Sequence, residues 1–293
     1  MTDIRARAIQ IYDDFTHEHR DRRRMLRAMA ALAGSMAAAE TLVAAIAASP
    51  AAAQQVPADD PRLTVDTRAL ALPQGELRCY QARRADAAGP APAVMVIHEN
   101  RGLNAHIEDV CRRVALEGFF AIAPDFLSFD GGTPADEDVA RERIGALDLG
   151  ATVAAGTAAL AAFRADPLAN GHLGAVGFCW GGGMVNRLAV AAGRGLDAAV
   201  AYYGPAPDPV EARRVEAAML LHYAGNDARV NATGAPWTDA LQAAGKDATA
   251  YLYPGVDHAF NNDTSAARYD ATAAALAWRR TIDFLHAHLD GHA

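Results

Sequence analysis

The stretch L-G-A-V-G-F-C-W-G-G-G, Leu173 to Gly183, most constrains how this chain can fold. Apolar residues rise as a short strand, Gly177, Cys179 and Gly181 then fall at G-x-C-x-G spacing, and Met184 to Ala192 carry a helical pattern. A strand, a sharp turn bearing one reactive side chain, and a helix make a nucleophile elbow. Such a turn holds its central residue at a strained backbone angle and brings neighbouring chain very close, which glycine on either side permits. The amide of Trp180, at the start of the helix, is then available to a developing oxyanion, helped by the positive end of the helix dipole. A glycine-rich turn around a small buried cysteine would read the same way. The partners of Cys179 therefore have to be found elsewhere.

The rest of the chain alternates strand and helix periods. L-T-V-D-T-R-A-L-A-L and L-R-C-Y-Q-A-R, joined by Pro73-Gln74-Gly75, predict a β-hairpin. Ala93–His98 and Phe119–Ala123 are continuous apolar runs of the kind buried on both faces of a sheet. Between them Ile107 to Leu116 is amphipathic and helical, ending at Gly118. Helical stretches are expected over Glu137–Leu147, Ala151–Phe163, Pro236–Ala244 and Ala266–His288, and strands over Ala198–Tyr203, Met219–Ala224 and Ala248–Tyr253. Strands and helices at this spacing form βαβ units. The fold class is therefore α/β: a mostly parallel central sheet with helices on both faces, in a single domain. At 293 residues, about half of them apolar, the chain can bury one sizeable core.

The first 53 residues read differently. D-R-R-R-M-L-R (Asp21 to Arg27) precedes an Ala-rich run and the small-residue segment S-P-A-A-A. A basic cluster, a weakly apolar run and an A-x-A end make the pattern of an export signal, and Arg22-Arg23 resemble a twin-arginine pair. Residues 1–53 are expected to be such a signal, read by the twin-arginine export machinery, cleaved near Ala53 and leaving 54–293 as a periplasmic or otherwise exported domain. The alternative is an uncleaved Ala-rich helix packed on a cytoplasmic protein. Glu40 and the modest hydrophobicity of the run argue against a stable membrane span.

Other classes are disfavoured. A net charge of −8 offers no basic face for nucleic acid. Cys79, Cys111 and Cys179 are odd in number and scattered, so no disulfide framework is implied. His98-Glu99 starts like H-E-x-x-H, but the second histidine is missing, and His286, His288 and His292 read as a solvated tail. No metal or cofactor is expected.

In open parallel sheets, catalytic groups come from loops at the carboxyl ends of strands. G-N-D after Met219–Ala224 puts Asp227 at one such end, and P-G-V-D-H after Ala248–Tyr253 puts His258 at the next. Nucleophile, acid and histidine in that chain order are the order of α/β-hydrolases. Together, I-H-E-N-R-G-L, A-P-D-F, G-F-C-W-G-G, G-N-D and D-H-A-F resemble the dienelactone hydrolases (carboxymethylenebutenolidases) over about residues 63–288. That resemblance implies an α/β-hydrolase fold and cleavage of a small-molecule ester or lactone without a metal. It implies Cys179 as nucleophile, forming a thioester acyl-enzyme, with His258 as base and Asp227 as its orienting acid. It puts Glu99 against the thiol and the backbone N–H groups of Asn100 and Trp180 in the oxyanion hole. A carboxylate beside the thiol would disfavour thiolate until substrate moves it aside. Arg101 and Phe260 are expected to touch substrate.

One departure from the family pattern bears on the substrate. Members that act on the small anionic dienelactone bring arginines to its carboxylate, one of them shortly after the catalytic histidine. Here Ala259, Phe260, Asn261 and Asn262 follow His258, and the nearest arginine is Arg268. Arg101, Arg141 and Arg143 are conceivable substitutes. Two other readings of Cys179 remain: a thiol-based redox protein, which would want a resolving cysteine, and a hydrolase fold kept as a non-catalytic binding module.

Overall fold

Side chains alternate across a strand, so an apolar run covered on both faces must feed two cores at once. In the computed structural model, which describes residues 2–17, 21–47 and 54–291, they do. Leu63–Leu72 (β1) and Gly75–Arg84 (β2) form the expected antiparallel hairpin, with Leu72 opposite Gly75. Ala91–Ile97 (β3), Phe120–Pro124 (β4), Ala169–Phe178 (β5), Ala198–Tyr202 (β6), Ala218–Ala224 (β7) and Ala248–Tyr253 (β8) complete the sheet. Among the described residues it has eight strands in the order β1-β2-β4-β3-β5-β6-β7-β8. The pairings of β2 with β1 and β4 are antiparallel, and the rest are parallel. Ala93, Met95 and Ile97 point into one core while Val94 and Val96 point into the other.

The helices follow in chain order: Thr2–His17 (α1), Arg22–Ala33 (α2), Met36–Ile46 (α3), Ala105–Leu116 (α4), Glu137–Ala146 (α5), Leu149–Arg164 (α6), Trp180–Ala191 (α7), Ala228–Ala243 (α8) and Ala271–Leu289 (α9). Helices α4 and α9 cover one face of the sheet; α6, α7 and α8 cover the other. Two helix starts differ most from the sequence reading. Helix α8 begins at Ala228, well before Pro236, because Asp227 caps it: its Oδ1 accepts from Val230 N at 3.1 Å. Pro236 sits inside the helix, where it withholds one N–H and crowds the carbonyl one turn before it. Helix α9 begins at Ala271, after Asp270 accepts from Ala273 N, and so leaves residues 259–269 as an irregular loop over the sheet's carboxyl edge.

The N-terminal segment, expected as a signal or else as an Ala-rich helix packed on the domain, folds back on the domain. Ile9, Tyr12 and Phe15 of α1, Met25 and Met29 of α2, and Val43 and Ile46 of α3 form a third apolar cluster that reaches Ala267. Side chains of this size contribute about 1.5–3 kcal/mol each when buried. The ion pair from Arg22 to Asp138 is partly exposed and is worth about 0–1 kcal/mol, so apolar packing holds the segment. The expected cleavage point near Ala53 and His292 lie outside the described residues. Among the described residues no single helix is long and apolar enough to cross a membrane.

Candidate active site

Strand β5 ends at Phe178, and the chain turns at once into α7. Cys179, between them, has φ 56° and ψ −114°, and its N–H donates to Tyr202 O at 3.0 Å. A positive φ costs a non-glycine residue on the order of 1–3 kcal/mol and persists only where the surroundings enforce it. They do so through the two glycines. A Cβ on Gly177 would lie 2.3 Å from Gly181 O, and one on Gly181 would lie 2.4 Å from Ile97 O. That second approach seats the elbow directly against the end of β3 and brings the loop 98–102 beside the thiol. Among the described residues the positive-φ non-glycines are Cys179, Tyr203 and Ala259; Cys179 and Ala259 line the thiol pocket, and the Tyr203 ring lies 5.0 Å from that of His258.

Asp227 and His258 arrive from the ends of β7 and β8 as expected. His258 Nδ1 and Asp227 Oδ2 are 2.5 Å apart, and both side chains are buried. Burial works against the charge of Asp227, but the charge and hydrogen bond of His258 outweigh it and hold the carboxyl below its ordinary value. Burial likewise disfavours a charged His258. The charges of Asp227 and Cys179, with a hydrogen bond to each, push the imidazole up to about 10. Cys179, 5 % exposed, is thus joined through His258 to Asp227.

Glu99 and Asn100 follow β3. Glu99 is 8 % exposed, and its Oε2 accepts from Asn262 Nδ2 at 2.7 Å. Asn262 is fixed in turn, because its Oδ1 accepts from Thr264 N at 3.0 Å. His98 supports the loop rather than taking part in it. Its ring stacks on Trp180 at 5.1 Å between centroids, Phe126 N donates to its Nε2 at 3.3 Å, and burial pushes it below its ordinary value, so it stays neutral. The amide of Trp180 lies in the first turn of α7, where N–H groups have no intrahelical acceptor. Asn100, Trp180 and Cys179 share the wall of a cavity of about 250 Å3. Ile144, Leu147 and Pro205 supply apolar wall there, and Arg141 and Arg229 supply positive charge.

The two expected substrate contacts fare differently. Arg101 does border the thiol, but it is occupied: its Nη2 donates to Tyr12 OH at 2.8 Å and its Nη1 to Glu137 Oε2 at 3.3 Å. Phe260 is corrected. It is fully buried among Tyr202, Tyr203 and Tyr253, with centroids at 6.4, 5.5 and 4.9 Å, and faces the core instead of the cavity. Ala259, at φ 64°, turns the chain so that the residue after it points inward. Arg143 lies toward Asp130 on a partly exposed surface, outside the site.

The sequence reading missed several neighbours. Arg268 is 9 % exposed and borders the thiol together with Glu99, His258 and Asn262. From α1, Tyr12 and Thr16 border it too; Thr16 O accepts from Asn100 Nδ2 at 3.1 Å. Only the bare presence of Arg268 beyond the histidine hinted at any of these.

Comparison with known proteins shows the family to which the chain belongs. Residues 77–289 match the model of the dienelactone hydrolase family. A candidate carboxymethylenebutenolidase of Escherichia coli K12 is 33 % identical over 253 residues, covering 81 % of this chain and 92 % of the relative. One from Methylorubrum extorquens AM1 is 31 % identical over 264 residues, covering 82 % and 87 %. The crystal structure of a candidate dienelactone hydrolase from Klebsiella pneumoniae superposes with a TM-score of 0.69 at 30 % identity, covering 76 % of this chain and 98 % of that one.

Proposed function

The chain belongs to the dienelactone hydrolase family, a family of ester- and lactone-cleaving hydrolases, and on that premise we propose that it acts through Cys179, His258 and Asp227. The observation that carries the reading is the 2.5 Å contact of His258 Nδ1 with Asp227 Oδ2 beside a cysteine held at positive φ. His258, made strongly basic by Asp227 and Cys179, holds the proton it takes from Cys179, and the sulfur bonds to the carbonyl carbon of the ester. The negative charge that develops on the carbonyl oxygen is met by the amides of Asn100 and Trp180. The C–O bond to the alcohol then breaks, and His258 returns the proton to the leaving oxygen. This leaves a thioester on Cys179. Water, deprotonated by His258, attacks it to release the acid and restore the thiol. Asp227 keeps the imidazole in one tautomer throughout.

The redox alternative is disfavoured by the other cysteines. Cys79 and Cys111 are buried in different cores, and burial raises both thiols, Cys79 to about 12. The two arginines of the 250 Å3 cavity, Arg141 and Arg229, make it suited to a small ester with an electron-rich acyl or alcohol part. Export through Arg22-Arg23, with the N-terminal segment removed in the exported form, belongs to the same proposal.

Turnover of p-nitrophenyl acetate tests the reading. Cys179→Ala should abolish it above background, and His258→Ala should lower it by about 10² or more, the usual scale for a positioned base. Unchanged turnover in a folded His258→Ala variant would remove that residue from the mechanism.

A further inference from the structure

Helix α1 lies outside the residues that match the family, yet it puts an acidic side chain on an arginine that lines the thiol pocket. Asp13 Oδ1 accepts from Arg268 Nη1 at 3.1 Å. Arg268 is also clamped from other sides. Its guanidinium lies 5.4 Å from the ring of Tyr12, and its Nε donates to Ser265 Oγ at 2.9 Å, whose hydroxyl donates to Ile46 O at 2.7 Å. The N-terminal helices therefore hold both the partner and the orientation of this arginine.

The position of Arg268 gives that contact its meaning. Its charge acts on Cys179 and Glu99, and it borders the same pocket as the thiol and His258. A guanidinium that is 9 % exposed and stands beside a nucleophile is a ready seat for a carboxylate, through charge-assisted hydrogen bonds. Asp13 already fills that seat. Among the described residues the charges that face Asp13 include Arg268, His258, Asp227 and Arg229, and burial pushes its carboxyl above the ordinary value.

We infer that Asp13 is a specificity-determining residue: by occupying Arg268 from α1, it bars anionic substrates from the thiol and makes the full chain select uncharged esters and lactones. This rests on the proposed hydrolase reading for its substrate class, but the contact itself does not. Loss of the N-terminal segment on export would take Asp13 away and open Arg268 to carboxylates.

The test compares Cys179 alkylation by iodoacetate, which is anionic, with alkylation by iodoacetamide, which is neutral, in the full chain. The ratio of the two rates cancels any change in thiolate content. In Asp13→Asn the iodoacetate-to-iodoacetamide ratio should rise about tenfold over wild type, the scale of removing one nearby charge in a poorly solvated pocket. Asp13→Glu should keep the ratio low, and Asp13→Asn combined with Arg268→Gln should bring it back down. If Asp13→Asn merely loosens α1, both rates rise together and the ratio stays at the wild-type value, which overturns the inference. So does a raised ratio that persists without Arg268. In parallel, kcat/KM for mono-p-nitrophenyl succinate relative to p-nitrophenyl acetate should rise in Asp13→Asn, through KM. If neither ester is turned over by any variant, the hydrolase reading falls, while the alkylation ratio still decides the role of Asp13.

Discussion

Asn262 Nδ2 donates to Glu99 Oε2 at 2.7 Å, joining the loop after β3 to the loop that follows His258. The bond spans 163 residues of sequence and sits at the floor of the thiol pocket. It sets where the Glu99 carboxylate stands in the pocket that Cys179 also lines.

The first prediction follows from this contact. A buried hydrogen bond to a charged group is worth about 1.5–3 kcal/mol, so Asn262→Ala should lower the melting temperature by several degrees and lower ester turnover. Glu99→Gln removes the charge and keeps the shape. Its Cys179 should react with iodoacetamide faster than wild type near neutral pH while ester hydrolysis slows. Equal or slower alkylation would show that Glu99 does not restrain the thiol.

The second concerns stability against pH. His258 is raised to about 10 in the folded protein, so its protonated form stabilises the fold fully below the unfolded value of ~6.5 and loses that contribution as pH rises through about 10. Asp227 is lowered, so its contribution is present above the unfolded value of ~3.9 and is lost as pH falls through the folded one. The gap in melting temperature between wild type and Asp227→Asn should therefore be widest between about pH 4 and 6.5 and should narrow on both sides. A gap that stays constant from pH 4 to 10 would contradict the coupling.

The third concerns the elbow. Gly181→Ala would drive a Cβ to 2.4 Å from Ile97 O, and backbone cannot give way there as a side chain could. Overpacking of this kind costs about 1–3 kcal/mol or more. It would also push the loop with Asn100 away from the thiol, so kcat should fall further than stability alone explains. Wild-type kcat in a folded Gly181→Ala would argue against the close approach.

Export gives the fourth. Replacing Arg22 and Arg23 with Lys should hold the full-length precursor in the cytoplasm if the twin-arginine machinery reads them. The same distribution of both versions on fractionation would remove the signal.

The legible parts of this protein were those written in local sequence. The elbow's glycines, the apolar strands and the order of Cys179, Asp227 and His258 each follow from a few adjacent residues, and the structure puts all three side chains at the sheet's carboxyl edge. What was missed depends on chain far apart. Asn262 and Arg268 reach the thiol only because the loop 259–269 folds back across it, and Asp13 only because α1 packs on that loop. Phe260 was misjudged for a local reason of another kind. One residue at positive φ, Ala259, reversed which way its neighbour points.

The central claim is that the substrate's acyl group passes through the sulfur of Cys179. Acid quenching of the enzyme during turnover of p-nitrophenyl acetate, followed by peptide mass spectrometry, tests it most directly. The account predicts one acetyl group on the peptide that contains Cys179, none on those with Cys79 or Cys111, and slower loss of that group in His258→Ala. An acetyl group on another residue, or full turnover in Cys179→Ala, would contradict it.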